Sequence, residues 1–476
     1  MIVGREKEIQ ELTKVLQSDR PEFVVLYGRR RIGKTFLIDS VYHDSIVFRH
    51  AGLPPKKAKP RERMKLQLNA FLTSLRRADA EISVTELSSW MDAFFYLERY
   101  LDKLKKDRKQ VVFLDELPWM DTVSSNFLDA FHYFWSNYLC FQNHMILVVT
   151  GSASSWILEN IVNDDRGFYR RDTHEILLKP FTLRETRRLL EENGLHFSPY
   201  EVAQIYMAAG GVPFYLNYFL NGESVAQNID RIFFGVGSKL NDEFKKLFTS
   251  QFIYPELCER IVRVLANKLI GLTASELAEA VGLKSSGSFY AVLRALQSSG
   301  FLQEYSIFGE RARDSYFKLI DPFCYFYLKQ VEPHESDSHY WSKNFSSPSA
   351  VSFYGYAFEL VCFGHIEQIE SALGISGIST RVAPFYQRNN EGNAQIDMVI
   401  RRGDNVTNLC EAKWSNDEYI MSKAEHLSLE RKKSVLSSHL LKRESIHSVL
   451  LTTFGLKNGE YFSDFDKVIT LDSLFL

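Results

Sequence analysis

Short apolar runs separated by longer amphipathic stretches dominate the first 180 positions. Phe23–Tyr27, Ile46–His50, Val111–Leu114, Ile146–Thr150 and Glu175–Leu178 have the length and β-branched or aromatic content of strands. Most are apolar at consecutive positions, as strands buried on both faces of a parallel sheet must be. Between them, Arg63–Arg77 and Met91–Lys105 repeat apolar residues at helical spacing. This alternation predicts an α/β fold with a parallel sheet over residues 1–180. From 181 to 250 the strand signal stops. Thr182-Leu183-Arg184-Glu185 has capping-box spacing, and a helical lid is expected there.

A different order follows. Glu256–Lys268 is apolar-periodic, Thr273-Ala274-Ser275-Glu276 is a second capping box, and a third helix is expected from Ser286 to Ser299 before Gly300. The β-like runs Phe301–Ser306 and Ser315–Leu319 flank the turn residues Phe308-Gly309-Glu310. Three helices and a hairpin in this order predict a winged helix-turn-helix over 251–330. The polar stretch Glu332–Ser349 is expected to be a linker, spanning 331–349. It would set off a last domain over 350–476.

Composition narrows the class. Lys and Arg number 57 against 59 Asp and Glu, which argues against a chain that coats nucleic acid indiscriminately but leaves room for a local basic groove. The five cysteines are scattered and form no C-x-x-C pair, so neither a disulfide framework nor a zinc module is expected. Met1–Glu6 lacks a basic-then-apolar leader, and no apolar run approaches the roughly 20 residues that span a bilayer. A soluble, cytoplasmic protein with no membrane partner is expected.

The strand Phe23–Tyr27 runs directly into Gly28-Arg29-Arg30-Arg31-Ile32-Gly33-Lys34-Thr35, and a helix is expected from Thr35. This is a P-loop in its proper context. The glycines let backbone amides face phosphate oxygens, and the helix N-terminus adds partial positive charge. Lys34 is expected on the β- and γ-phosphates of ATP, with Thr35 on Mg²⁺. Val111–Leu114 ends in Asp115-Glu116. Asp115 would hold Mg²⁺ through water, and Glu116 would polarise the attacking water. Thr150 and Ser152, after the next strand, are candidates to sense the γ-phosphate. Arg166, Arg170 and Arg171 are candidates to stabilise transition-state charge.

Val3-Gly4-Arg5-Glu6-x-Glu8, the P-loop, Leu114-Asp115-Glu116, Lys179-Pro180-Phe181 and Gly210-Gly211-Val212-Pro213-Phe214-Tyr215-Leu216 together resemble the archaeal-type ATPases of the AAA+/STAND group. The resemblance covers the chain to about residue 330, because that family carries a winged helix after its lid. It implies an ATP-controlled conformational switch, often oligomeric. A subset of the family ends in a domain resembling restriction endonucleases.

Near the C-terminus, Ala394–Arg401 and Val406–Lys413 are strand-like, with Gly403-Asp404-Asn405 as turn chemistry between them. A hairpin centred on Asp404 pairs residues whose numbers sum to 808. Asp397 then faces Glu411 at roughly 5 Å, and Lys413 shares that face. Facing carboxylates repel; a divalent cation between them, Mg²⁺ or Mn²⁺, would remove the penalty. Lys413 could then orient the attacking water or stabilise the phosphate under attack. This arrangement resembles the PD-(D/E)XK nucleases over residues 350–476. Those enzymes often supply a further acid from a preceding helix, and the resemblance gives Glu359 that place. The sequence departs from the motif in having Gln395-Ile396 instead of proline before the aspartate.

DNA is the expected partner. Ser285, Ser286, Ser288, Tyr290 and Arg294 lie on the expected recognition helix, with Lys284, Arg311 and Arg313 at its flanks. Winged helices also clamp proteins. The basic runs at Lys56–Arg63 and Lys103–Lys109 are expected to be solvated faces. The whole predicts an ATP-binding and hydrolysing protein that gates a metal-dependent DNA nuclease. The alternative is an ATP-driven switch whose nuclease-like domain only binds DNA or a partner protein.

Overall fold

The computed structural model describes residues 2–54, 59–163, 171–249, 251–306, 315–389 and 392–476. The chain divides into two compact units. One is Met1–Lys179 with Thr249–Pro255, the other Pro180–Phe248 with Glu256–Leu476.

In the first unit, five parallel strands stand in the order β2-β3-β4-β1-β5. They are β1 (Glu22–Tyr27), β2 (Ile46–Ala51), β3 (Gln110–Asp115), β4 (Met145–Gly151) and β5 (His174–Leu177); the first four contain their predicted runs, and β5 ends one residue short of Leu178. Alternate residues of β1, β3 and β4 enter two cores. Phe23, Val25, Val112, Leu114, Leu147 and Val149 pack under α3 (Pro60–Ala78), α4 (Trp90–Asp102) and α5 (Phe127–Asn137). Val24, Leu26, Val111, Phe113, Ile146 and Val148 pack against α1 (Glu6–Leu16) and α2 (Lys34–Tyr42). This burial on both faces is why the strands are continuously apolar. Each large side chain so enclosed contributes roughly 1.5–3 kcal/mol. A short helix, α6 (Ser154–Ile157), follows β4.

The second unit begins with helices α7 (Leu183–Glu192), α8 (Pro199–Ala209), α9 (Pro213–Leu216), α10 (Val225–Phe233) and α11 (Glu243–Thr249). Thr182 and Glu185 form the expected capping box. Gly211 lies so close to Phe181 that a Cβ there would stand 1.9 Å from its carbonyl oxygen. Helices α12 (Pro255–Leu265), α13 (Ala274–Ala280) and α14 (Gly287–Ser298) accompany a three-stranded antiparallel sheet. Its order is β6-β8-β7, with β6 at Leu272–Thr273, β7 at Leu302–Ser306 and β8 at Ser315–Leu319. The expected turn at Phe308-Gly309-Glu310 lies outside the described residues.

The stretch 331–349, expected as a linker, is packed structure. After α15 (Pro322–Phe326) comes α16 (Tyr340–Asn344), whose Trp341 is 1% exposed and meets Phe326, Phe353 and Tyr354. Buried Asp230 of α10 accepts from the Trp341 amide at 2.8 Å and the Ser342 amide at 3.0 Å. The polarity that suggests a linker belongs to exposed positions such as Ser338, His339 and Lys343, between the residues that anchor it.

Helix α17 (Pro348–Gly364) and α18 (Ile366–Leu373) lead into a mixed sheet of order β13-β12-β11-β10-β9. Its strands are β9 (Thr380–Asn389), β10 (Gly392–Arg402), β11 (Val406–Lys413), β12 (Ser445–Thr452) and β13 (Lys467–Thr470). Helix α19 (Lys423–Ser437) covers one face through Leu429, Val435 and Leu436. His365, between α17 and α18, accepts from the Leu183 amide at 2.9 Å, which joins this part to the first helix of the unit. Among the described residues no helix is long and apolar enough to cross a membrane.

Candidate functional site

The loop after β1 turns back on itself through three left-handed residues, Gly28 (φ 142°), Arg31 (φ 70°) and Gly33 (φ 91°). Gly28 is required by space as well. A Cβ there would stand 2.3 Å from the Leu178 carbonyl oxygen. Such a run of inverted residues makes a concave nest of amides suited to an anion. Lys34, 5% exposed, opens α2 and lays its ammonium across the loop, donating to the carbonyls of Gly28 (2.9 Å) and Arg29 (3.0 Å). Burial lowers its pKa, opposed by the charges of Glu116 and Asp115. Arg5 supports the loop from behind, its guanidinium donating to the Ile32 carbonyl.

Strand β4 lies between β1 and β3, so the acids at the end of β3 are held by the end of β4. The Thr150 hydroxyl donates to Asp115, and the Glu116 amide donates to Thr150 Oγ1 at 3.1 Å. Ser152 donates to Glu116 Oε2 from its amide (3.0 Å) and its hydroxyl (2.8 Å). Glu116 itself has left-handed backbone (φ 50°), an unfavourable conformation for a side-chain-bearing residue that these bonds maintain. Thr150 and Ser152, considered above as phosphate sensors, therefore position the two acids. The Thr35 hydroxyl donates to Asp115 Oδ2 at 2.8 Å, which brings together the two oxygens expected around Mg²⁺.

Residues 2–219 match the family described as an ATPase domain predominantly from Archaea. Over these residues the chain is similar to that ATPase family. Over most of its length the chain is similar to an uncharacterized protein of Methanocaldococcus jannaschii. The two are 22% identical over 428 residues, 87% of this chain and 88% of that protein. Among solved structures it is similar to a Walker-type ATPase of Pyrococcus abyssi, with TM-score 0.48 and 18% identity over 69% of this chain and 96% of that one. It is also similar to the ORC2 protein of Aeropyrum pernix, with TM-score 0.41 and 14% identity over 76% and 94% of the two chains.

The arginine candidates of the ATPase domain fare differently. Arg166 and Arg170 lie outside the described residues. Arg171 precedes β5 and contacts Ser136 of α5. In a parallel sheet that is the amino-terminal edge, whereas the phosphate loop follows the carboxyl end of β1. Arg171 is therefore at the wrong edge to reach a phosphate in its own loop.

The second candidate centre lies in the C-terminal sheet. Strands β10 and β11 pair Met398 with Cys410, Val399 with Leu409 and Ile400 with Asn408, the register expected of a turn centred on Asp404. On its other side β10 carries a bulge between Ile396 and Val399. Residues 396 and 399 both enter the core beneath α19, which regular alternation forbids, so the extra residue falls at Asp397–Met398. Asp397 Oδ2 accepts from the Ala412 amide at 2.9 Å.

Glu411 is 5% exposed and is gripped by Lys432 of α19, whose Nζ donates to its two oxygens at 2.6 and 2.7 Å. Lys413 Nζ lies 3.7 Å from Glu411. Burial first, then the neighbouring Asp397 charge, raises the Glu411 pKa to about 7, against the pull of Lys432 and Lys413. Burial and Asp397 likewise lift Glu359 of α17 to about 8. For Lys413, burial acts downward, but Asp397 and Glu411 outweigh it and its pKa is raised. Sequence reasoning brought Glu359, Asp397, Glu411 and Lys413 to this centre and missed two lysines, Lys432 and Lys318. Neither has a local signal: Lys318 is a lone lysine in a strand, and Lys432 is one of a run of basic residues, Arg431-Lys432-Lys433, on a polar helix.

Lys284, Ser285, Ser286, Ser288 and Tyr290 are exposed at and around the start of α14, and Arg294 is exposed farther along it; Arg311 and Arg313 lie outside the described residues. In the other basic run, Lys103 pairs with Asp79 at 2.6 Å and Lys109 is held by backbone carbonyls.

Proposed function

We propose that the ATPase domain is the input of a switch whose output is phosphodiester hydrolysis at the carboxylate–lysine centre of the C-terminal sheet, with DNA as substrate. The observation that carries this is the bulged hairpin, which gathers Asp397, Glu411 and Lys413, the side chains hydrolysis would use, from seventeen residues of chain around one turn. The exposed residues of α14 would serve DNA as a recognition helix, or a protein or another part of the chain as a clamp.

In the ATPase domain, Lys34 would neutralise β- and γ-phosphate charge and the nest from Gly28 to Gly33 would hold the phosphate oxygens. Thr35 and Asp115, 2.8 Å apart, fit Mg²⁺, one directly and one through water. The ion would screen the phosphate charge that develops on bond cleavage. Glu116 would orient the attacking water. Glu116→Gln is expected to lower kcat for ATP by about 10²–10⁴-fold while leaving nucleotide affinity within a few-fold. Phosphate release and fluorescent-nucleotide titration measure the two. Turnover within about threefold of wild type would remove Glu116 from this role.

The C-terminal centre, in contrast, does not fit Mg²⁺ or Mn²⁺ as its side chains are now paired. Among the described residues no three acidic, histidine or cysteine groups converge to hold an ion, and Glu411 is engaged by Lys432. Lys413 can hold a water or a phosphate oxygen at the edge of the hairpin, and Asp397 is fixed by the Ala412 amide.

A supercoiled plasmid, incubated with Mg²⁺ or Mn²⁺ and with or without ATP, tests the output. Wild type is expected to nick it in a nucleotide-dependent way, and Lys413→Ala to lose about 10²-fold or more of that rate. If both leave the plasmid intact in every condition, the centre does not hydrolyse DNA. The lysine-paired carboxylates favour one other reading, a switch whose C-terminal domain binds DNA or a partner protein without cleaving it.

A further inference from the structure

Lys318 sits on β8, the central strand of the small antiparallel sheet, yet it is 5% exposed. Its ammonium lies 5.1 Å from the ring centre of Tyr356 and 5.0 Å from that of Phe363. Those two rings stand on α17 at three residues before and four after Glu359, so all three share one helix face. The ammonium is thus held on the helix face that carries Glu359, without a direct ion pair to an acid among the described residues, and the charges it senses are those of Glu359 and Asp397. The small sheet is docked there by other contacts as well. The Tyr356 hydroxyl donates to the Leu269 carbonyl at 3.2 Å, and Tyr305 and Tyr316 of β7 and β8 cluster with Ala383 and Tyr386 of β9.

The formal charges then balance. Glu359, Asp397 and Glu411 supply three negative charges, and Lys318, Lys413 and Lys432 three positive ones. Moving a proton from Lys318 to Glu359 leaves that sum unchanged. A divalent cation entering this largely buried cluster would leave two positive charges uncompensated, which a low-dielectric site resists. Lys413 and Lys432 belong to the C-terminal sheet and its own helix. Lys318 alone comes from a different sheet.

We propose that Lys318 is an internal counter-ion that latches the centre shut, taking the charge a divalent cation would supply until the β7–β8 hairpin withdraws. The proposal rests on Glu359, Asp397 and Glu411 becoming the metal-accepting centre of the proposed nuclease once Lys318 leaves; paired as they are, they do not converge on an ion. It adds a regulation: the small sheet is the shutter, and metal entry and hairpin release are one event. Lys318 is here a blocking residue, and the reaction does not need it.

Manganese binding by the full chain without nucleotide, followed by calorimetry, is the direct test. Lys318→Met keeps the length and packing against Tyr356 and Phe363 but not the charge. It is expected to bind Mn²⁺ about tenfold tighter than wild type, or more, and the gain should vanish in Lys318→Met with Asp397→Asn. Equal affinity in wild type and Lys318→Met, or no Mn²⁺ binding by either, overturns the latch. Should Lys318→Met not fold, hydrogen exchange of wild type decides. Saturating Mn²⁺ should speed exchange in Leu302–Ser306 and Ser315–Leu319, and unchanged exchange overturns the proposal. The plasmid assay separates this from the nuclease reading. Tighter Mn²⁺ binding without cleavage keeps the latch and removes the nuclease. Cleavage by wild type that Lys318→Met loses does the reverse, and makes Lys318 part of the reaction.

Discussion

Lys34→Ala is expected to abolish ATP turnover, with phosphate release falling by about 10²–10³-fold or more, the usual loss when a fixed positive donor to a developing anion is removed. The size of the effect follows from where the ammonium is held. It is almost fully enclosed, bridges the carbonyls of Gly28 and Arg29, and faces the acids at the end of β3. Of the loop's arginines, Arg30 and Arg31 are half-buried at the rim, while Arg29 is buried like Lys34. A charge fixed in a low-dielectric cleft counts for far more than one in water. Nucleotide affinity should fall together with turnover, which distinguishes this variant from Glu116→Gln. Wild-type phosphate release by Lys34→Ala would refute the P-loop assignment.

The second large effect concerns stability. Lys432→Met should destabilise the C-terminal unit by about 3–5 kcal/mol, since it strips a buried carboxylate of its only doubly bonded cation. Glu411 lies under α19 with both oxygens taken by Lys432, and Lys413, at 3.7 Å, cannot replace two short bonds. Combining it with Glu411→Gln should restore much of the loss, because replacing both members of a buried pair costs far less than removing one. Urea unfolding followed by circular dichroism reads both. An unchanged midpoint for the single variant would mean that the pair is solvated.

Much of this molecule was legible in its sequence. The strands of the ATPase domain announce themselves because burial on both faces demands continuous apolar runs, as in Val111–Leu114. The Asp404 turn fixed a register that the β10–β11 ladder follows, since Asn405 accepts the left-handed backbone (φ 64°) that a tight turn requires. The bulge at Asp397 was not legible, because the pattern of β10 reads equally well as a regular strand. Lys318 and Lys432 were hidden for a different reason. A buried lysine is defined by acids distant in sequence, here 41 residues from Glu359 and 21 from Glu411. Thr150 and Ser152 were noticed, but what they hold becomes visible only once β4 is seen between β1 and β3. The stretch 331–349 misled because a few anchors, Trp341 above all, are diluted by polar neighbours.

That stretch also bears on how such a chain could be re-engineered or diversify. Asp230 keeps two amides from the segment around Trp341 satisfied, and His365 keeps the Leu183 amide satisfied from beyond it. Grafting another domain at position 349 would remove Phe353, Tyr354 and His365, which strips Trp341 of its ring partners and the Leu183 amide of its acceptor. The C-terminal sheet and its helices are mortised into the helices that follow the ATPase domain, so they are not a cassette to be exchanged at a flexible joint. Any replacement would have to bring its own histidine and its own aromatic wedge.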